Sequence, residues 1–145
     1  MLSELRVDEL LAAIGERTPA PASGAATALT GALAAALAEL ASRYAGEEEL
    51  AVRAHELAAE LVELGDEDAA AYTAFMAERN EETRARIVAV PEQIASHADE
   101  VVSIALRAAD KVSTAVAGDA EAAAELARAA ARVARGLARL NSSGS

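Results

Sequence analysis

From Thr18 to Ala38 the chain reads "TPAPASGAATALTGALAAALA" and carries no charged side chain. Few folds can house such a run. It is long enough to cross a bilayer. Two prolines at its start, the Thr and Ser residues after them and the weak apolarity of alanine on insertion scales argue against a span. Alanine is the best helix former, and its methyl lets neighbouring backbones approach closely. The stretch therefore predicts a buried helix from Ser23 to about Tyr44, entered through a proline-stiffened turn. Of the 145 residues, 53% are hydrophobic but only 2% aromatic, so alanine and leucine must build the core. That composition, with 3 prolines, predicts an all-α bundle of five to six helices. Residues 1–140 read as one domain and 141–145, "NSSGS", as a flexible tail.

Charge narrows the range of partners. The formal net charge is −11, and the single lysine is Lys111. Nucleic-acid binding requires a basic footprint that displaces counterions, and none is present. Anionic membrane surfaces are disfavoured for the same reason. The chain has no cysteine, which removes disulfides, thiolate metal sites and cysteine nucleophiles. "MLSELRVDELL" has acids early and no basic n-region, so it does not read as a signal peptide. A soluble cytoplasmic protein is the expectation.

Helical periodicity organises the remainder. A first helix is predicted from Ser3, as N-cap, to Ile14. In the second, Leu29, Leu33, Leu37, Leu40 and Tyr44 form the apolar stripe, and Gly46 stops it at C′. A third runs from Glu47 toward Asn80 with a bend at Gly65–Asp66, where glycine costs about 1 kcal/mol and aspartate prefers caps. Asn80 caps a fourth stretch, and Pro91 lies in or at the start of a fifth that reaches about Val116. Gly118–Asp119 is expected to break the chain, with Asp119 as N-cap of a last helix to Leu140. Leu126, Val133, Leu137 and Leu140 are its expected inward side.

Three constellations could carry chemistry. The turn at Thr18–Pro21 leads into Ser23, Gly24 and Ala25, whose free N–H groups either bind an anionic group or simply begin a buried helix. Asp66, Glu67 and Asp68 crowd one turn. Asp68 shares a face with Tyr72 and Phe75, and burial beside two aromatics would raise its pKa toward general-base use. Asp119 is a cap by spacing, or else a carboxylate held on rigid backbone to move a proton. The histidines do not suggest a metal. Di-metal bundles place Glu three residues before each His, but Val52 precedes His55 and Ile94 precedes His97 at that spacing. There is no Ser/His/Asp order and no Walker-type loop, so any catalysis would be acid–base.

Four segments in order resemble one family. These are the turn and helix "TPAPASGAATALTGALAAALAEL", "DEDAAAYTAFM", "VPEQIASHADEVVSIA" and "AGDAEAAAELARAAARVARGLARLN". Together they resemble the formiminotetrahydrofolate cyclodeaminase and methenyltetrahydrofolate cyclohydrolase family across nearly the whole chain. The resemblance implies a helical homodimer with a tetrahydrofolate derivative as substrate in a cleft between helices. It implies hydrolysis or deamination at a C–N bond by carboxylate acid–base chemistry, without metal. Carried over by position, Asp119 and Asp68 become the catalytic candidates. Ser23, Gly24, Thr18 and Tyr72 become the substrate-binding ones. The family turn is usually Pro-Gly-Gly-Gly-Ser, whereas this chain has Pro-Ala-Ser-Gly-Ala. That difference also admits an alternative, a relative without catalysis that serves as a dimerisation or small-ligand-binding module.

Overall fold

The computed structural model describes residues 1–144, and all five of its α-helices follow a short 3-10 turn at Leu2–Glu4. The helices are α1 (Val7–Gly15), α2 (Ser23–Tyr44), α3 (Glu48–Ala77), α4 (Glu81–Ala109) and α5 (Thr114–Ser143). The all-α expectation holds, and α2 has the predicted limits. Gly46 follows it with φ +73°, the left-handed conformation that closes a helix without Cβ strain. Among the described residues α2 alone is apolar and long enough to span a membrane, yet 56% of its most apolar stretch is buried. It packs against α3, α4 and α5.

Most of the predicted apolar stripes of α2 and α5 point the other way, although Leu37 packs half-buried against the core and Leu29 and Leu137 are half-buried. Alanines form the buried face of α2, from Ala25 and Ala28 through Ala34, Ala35 and Ala38 to Ala41, while Leu33, Leu40 and Tyr44 are exposed. On α5 the alanines from Ala120 to Ala138 face inward, and Leu126, Val133 and Leu140 face out. Size complementarity explains this. α3 brings Leu57, Leu61 and Leu64 to the core, and α4 brings Ile87, Val90, Ile94, Val101 and Ile104. Large side chains from two helices fill the space, so the other two must offer methyls if the interior is to reach crystal-like density. Ala127 is fully buried in this arrangement. Ala127→Leu is accordingly expected to lower stability by about 1–3 kcal/mol through overpacking, read as a drop in the urea midpoint. An unchanged midpoint would refute the inward alanine face.

Neither Gly65 nor Pro91 interrupts its helix. α3 continues through Gly65, where α2 packs closely against it. A Cβ on Gly65 would meet the Ala28 Cβ at 3.5 Å and the Ala25 carbonyl at 3.7 Å, so the glycine serves a close crossing. α4 likewise passes through Pro91, which is buried. Proline lacks an N–H, so the carbonyl four residues earlier, on Ile87, loses its helical donor. The Asn141 side-chain amide donates to that carbonyl at 2.7 Å. Asn80 caps α4 as expected, accepting from Thr83 N at 2.9 Å.

The ends of the chain also differ from expectation. Ser3 lies in the 3-10 turn, and α1 starts only at Val7, where the Glu9 carboxylate accepts from Arg6 N at 2.8 Å. Gly118 and Asp119 do not break the last helix. α5 begins at Thr114 after the cap residue Ser113, so Asp119 lies in its second turn and is not an N-cap. The same helix continues through Asn141, Ser142 and Ser143, part of the expected tail, while Ser145 lies outside the described residues.

Candidate functional site

At the entrance to α2 four helices and the α1–α2 linker enclose a cavity of about 250 Å³. Pro19, Ala20 and Ala22 of the linker form one wall, and the Ala20–Pro21 peptide bond there is cis. Ser23 and Gly24 of α2 form the floor. Asp68 and Tyr72 enter from α3, Ile87 from α4, and Leu137 and Asn141 from α5. Two independent features converge here, a helix N-terminus and a carboxyl group.

The helix end is open. Ala22, the N-cap residue, offers no side-chain acceptor, and the first helical bond runs from Ala26 N to Ala22 O at 3.0 Å. The N–H groups of Ser23, Gly24 and Ala25 therefore precede the intrahelical ladder. The positive end of a 22-residue helix dipole lies at the same point.

Asp68 stands directly over that end. Its carboxyl occupies the space where a side chain on Gly24 would be, because a Cβ built on Gly24 overlaps the Asp68 carboxyl carbon and both oxygens. This is the glycine the turn requires. Burial pushes the Asp68 pKa above its ordinary 3.8. The helix end opposite favours the ionised form. A carboxyl placed between these influences can both release and hold a proton, which is what acid–base work demands.

The neighbouring acids diverge. Asp66 accepts from the Leu2 backbone N–H at 2.7 Å and so anchors the 3-10 turn to α3. Glu67 is exposed. Successive helical residues point about 100° apart, so an acid cluster in sequence need not be one in space. Tyr72, one turn after Asp68, stacks obliquely on Phe75 with ring centroids 6.5 Å apart. The guanidinium groups of Arg79 and Arg84 lie 5.3 Å from the Phe75 ring centroid.

Of the six residues singled out in the sequence, Ser23, Gly24, Asp68 and Tyr72 line the cavity together. Thr18 does not. It is exposed in the linker, with its N–H on the Glu16 carbonyl at 2.9 Å, and its neighbour Pro19 forms the wall instead. Asp119 is also elsewhere. It precedes Leu137 by eighteen residues of one continuous helix, about 27 Å of rise, and is half-buried toward the other end of the bundle. Asn141, Leu137 and Ile87 were not anticipated as lining residues. Asn141 reads in sequence as the polar end of an alanine-rich helix, and its role follows from Pro91, fifty residues earlier. The histidines pair with acids on the outside, His55 with Glu39 at 3.1 Å and His97 with Glu60 at 2.6 Å.

Comparison with known proteins adds two findings. The family model described as formiminotransferase-cyclodeaminase matches residues 6–144. The crystal structure of formiminotetrahydrofolate cyclodeaminase from Thermotoga maritima, at 2.80 Å resolution, superposes with a TM-score of 0.91 at 22% identity. The match covers 97% of this chain and 80% of that one, and at this identity it is a likeness of fold. No protein of curated function matches the chain.

Proposed function

The chain belongs to the formiminotransferase-cyclodeaminase family, and from that premise we propose that it is a cytoplasmic, folate-dependent one-carbon enzyme, active as a homodimer. Its reaction is of the formiminotetrahydrofolate cyclodeaminase or methenyltetrahydrofolate cyclohydrolase type, acting on a C–N bond. The observation that carries this reading is the half-buried Asp68 carboxyl held against Gly24 at the mouth of α2. Such a group can protonate a departing nitrogen and can take a proton from attacking water, so both reaction types are within its reach.

The cavity suits part of a folate. At about 250 Å³ it is slightly smaller than the roughly 300–1,000 Å³ of sites that enclose whole drug-sized ligands. One ring system would enter between Tyr72, Ile87 and Leu137, and the remainder of the ligand would lie along the open side. Asp68 is the acid–base group of this proposal, with Ser23, Gly24 and Tyr72 in contact with the ligand. Asp119 would take part only from outside this cavity, since its own chain holds it at the other end of α5.

Thermal shift with tetrahydrofolate and its 5-formyl derivative tests the proposal. A ligand at about a hundred times its Kd adds about 2.7 kcal/mol to the folded state, which for a domain of this size raises Tm by several degrees. That rise is the expected result. No rise at saturating concentrations of either compound would refute the enzyme reading and leave the chain as a binding or dimerisation module.

A further inference from the structure

α4 carries a proline in its interior, and the consequence is felt on α5. Pro91 has no N–H, so the Ile87 carbonyl one turn earlier lacks its helical donor. The Asn141 side chain supplies one, with Nδ2 donating at 2.7 Å. Ile87 and Asn141 both line the Asp68 cavity. The bond that repairs α4 is therefore made at the cavity wall.

That bond fixes which way round the amide stands. A primary amide has nearly the same shape either way, and on an open surface it turns over to present a donor or an acceptor. Here a turned amide would set its oxygen against the Ile87 carbonyl oxygen, two acceptors at hydrogen-bond distance. It would also leave that carbonyl without a partner inside the fold. Oδ1 of Asn141 must therefore face away from Ile87. Among the described residues no group donates to Oδ1, and the core does not enclose it.

The backbone beneath the amide is held as well. Asn141 lies in the last turn of α5, where helices ordinarily fray. Two contacts secure this end. The Gly144 N–H donates to the Leu140 carbonyl at 3.0 Å, and the Arg84 guanidinium of α4 donates to the Gly144 carbonyl. Leu137, one turn before Asn141, shares its face and lines the same cavity. A single acceptor is thus set between apolar Ile87 and Leu137.

We propose that Asn141 is a specificity-determining residue of this cavity, a hydrogen-bond acceptor locked in one orientation that selects ring ligands carrying an N–H on the edge facing α5. Its selection runs one way. A ring that presents a lone pair or an N-methyl group there meets an oxygen that cannot turn aside, and that oxygen loses water without gaining a donor. The cavity, about 250 Å³, has room for one ring system of this kind. The acceptor stands on this geometry alone. That the ring is the pterin of a folate rests on the folate proposal.

NMR titration with 2-pyridone, a small ring lactam with one N–H, and with 1-methyl-2-pyridone, which lacks it, tests the proposal. The backbone amides of Gly24 and Asp68 report on the cavity in every variant. Wild type is expected to bind 2-pyridone about tenfold more tightly than the methylated compound. Pro91→Ala combined with Asn141→Leu removes the acceptor while Ile87 regains a helical donor. This double variant should keep the far-UV circular dichroism of wild type and show a preference near onefold or reversed. Pro91→Ala alone frees the amide to turn, and the preference should fall to about threefold or less. Equal affinities in wild type, or no shift with either compound, would overturn the acceptor role. An undiminished preference in the double variant would take that role away from Asn141, and one in Pro91→Ala would refute the lock. Pterin should displace 2-pyridone if the ring is that of a folate. Failure of pterin to compete, with the pyridone preference intact, sinks the folate reading and leaves this one standing.

Discussion

Gly24→Ala is expected to cost about a hundredfold in kcat/KM while leaving the midpoint of thermal unfolding nearly unchanged. The added methyl would fall within the space of the Asp68 carboxyl. Two outcomes are physically open, a backbone shift or a turned side chain. The second is far cheaper, because the obstructing atoms are the end of one flexible side chain and α2 itself is fixed by its alanine contacts. Alanine also suits a helix better than glycine by up to about 1 kcal/mol, which offsets part of any strain. The fold therefore survives, and the carboxyl moves. A displacement of about 1 Å at a reacting group is enough for a loss near a hundredfold. Steady-state kinetics on folate substrates, with a melting curve for the same sample, provides the measurement. Wild-type kcat/KM in Gly24→Ala would show that the carboxyl does not act from this position.

Asp68→Asn carries the other large effect, and here activity and stability should move in opposite directions. The variant keeps the shape and removes the proton-transfer group, so turnover should fall by about 10²- to 10⁴-fold. Stability follows from the raised pKa. The folded chain holds the Asp68 proton more tightly than the unfolded chain, whose value is near the ordinary 3.8. At pH below that value both states are protonated, and the group costs nothing. As pH rises through the folded-state pKa, the buried carboxyl must ionise, and wild-type stability declines. Asparagine never ionises. The variant should thus equal wild type in acid and exceed it near neutrality, measured as urea midpoints across the pH range. A variant less stable than wild type at neutral pH would mean that the carboxylate is stabilised by partners and is not strained by burial.

The sequence disclosed the helices better than their orientation. The limits of α2 and the cap at Asn80 were legible because they depend on local chemistry: an uncharged alanine run, a cap acceptor, a glycine at C′. The direction of α2 and α5 was not. A leucine stripe signals burial only when the facing helices leave room for leucine, and Leu57, Leu61 and Ile94 had already taken that room. Gly65 and Pro91 read as breaks because the contacts that rescue them come from other helices. The site followed the same pattern. Gly24 and Asp68 could be named separately, but the overlap that links them belongs to the crossing of α2 and α3. Asp119 read as a cap because Gly118 precedes it, whereas Ser113 and Thr114 had already begun the helix.

Pro91 and Asn141 have a consequence for descent. The asparagine supplies the hydrogen bond that the proline removes from Ile87, across 54 residues. The two positions are therefore one decision made twice in the genetic text. A lineage that replaces Pro91 with an ordinary helical residue gives Ile87 its own donor back and releases Asn141 from selection for that bond. A lineage that loses Asn141 first leaves a carbonyl without its partner. Substitution in the first order is tolerable and in the second is penalised, so drift at these two sites has a direction. One polar group of the cavity lining, Asn141, would be freed to change as a by-product of repairing a helix.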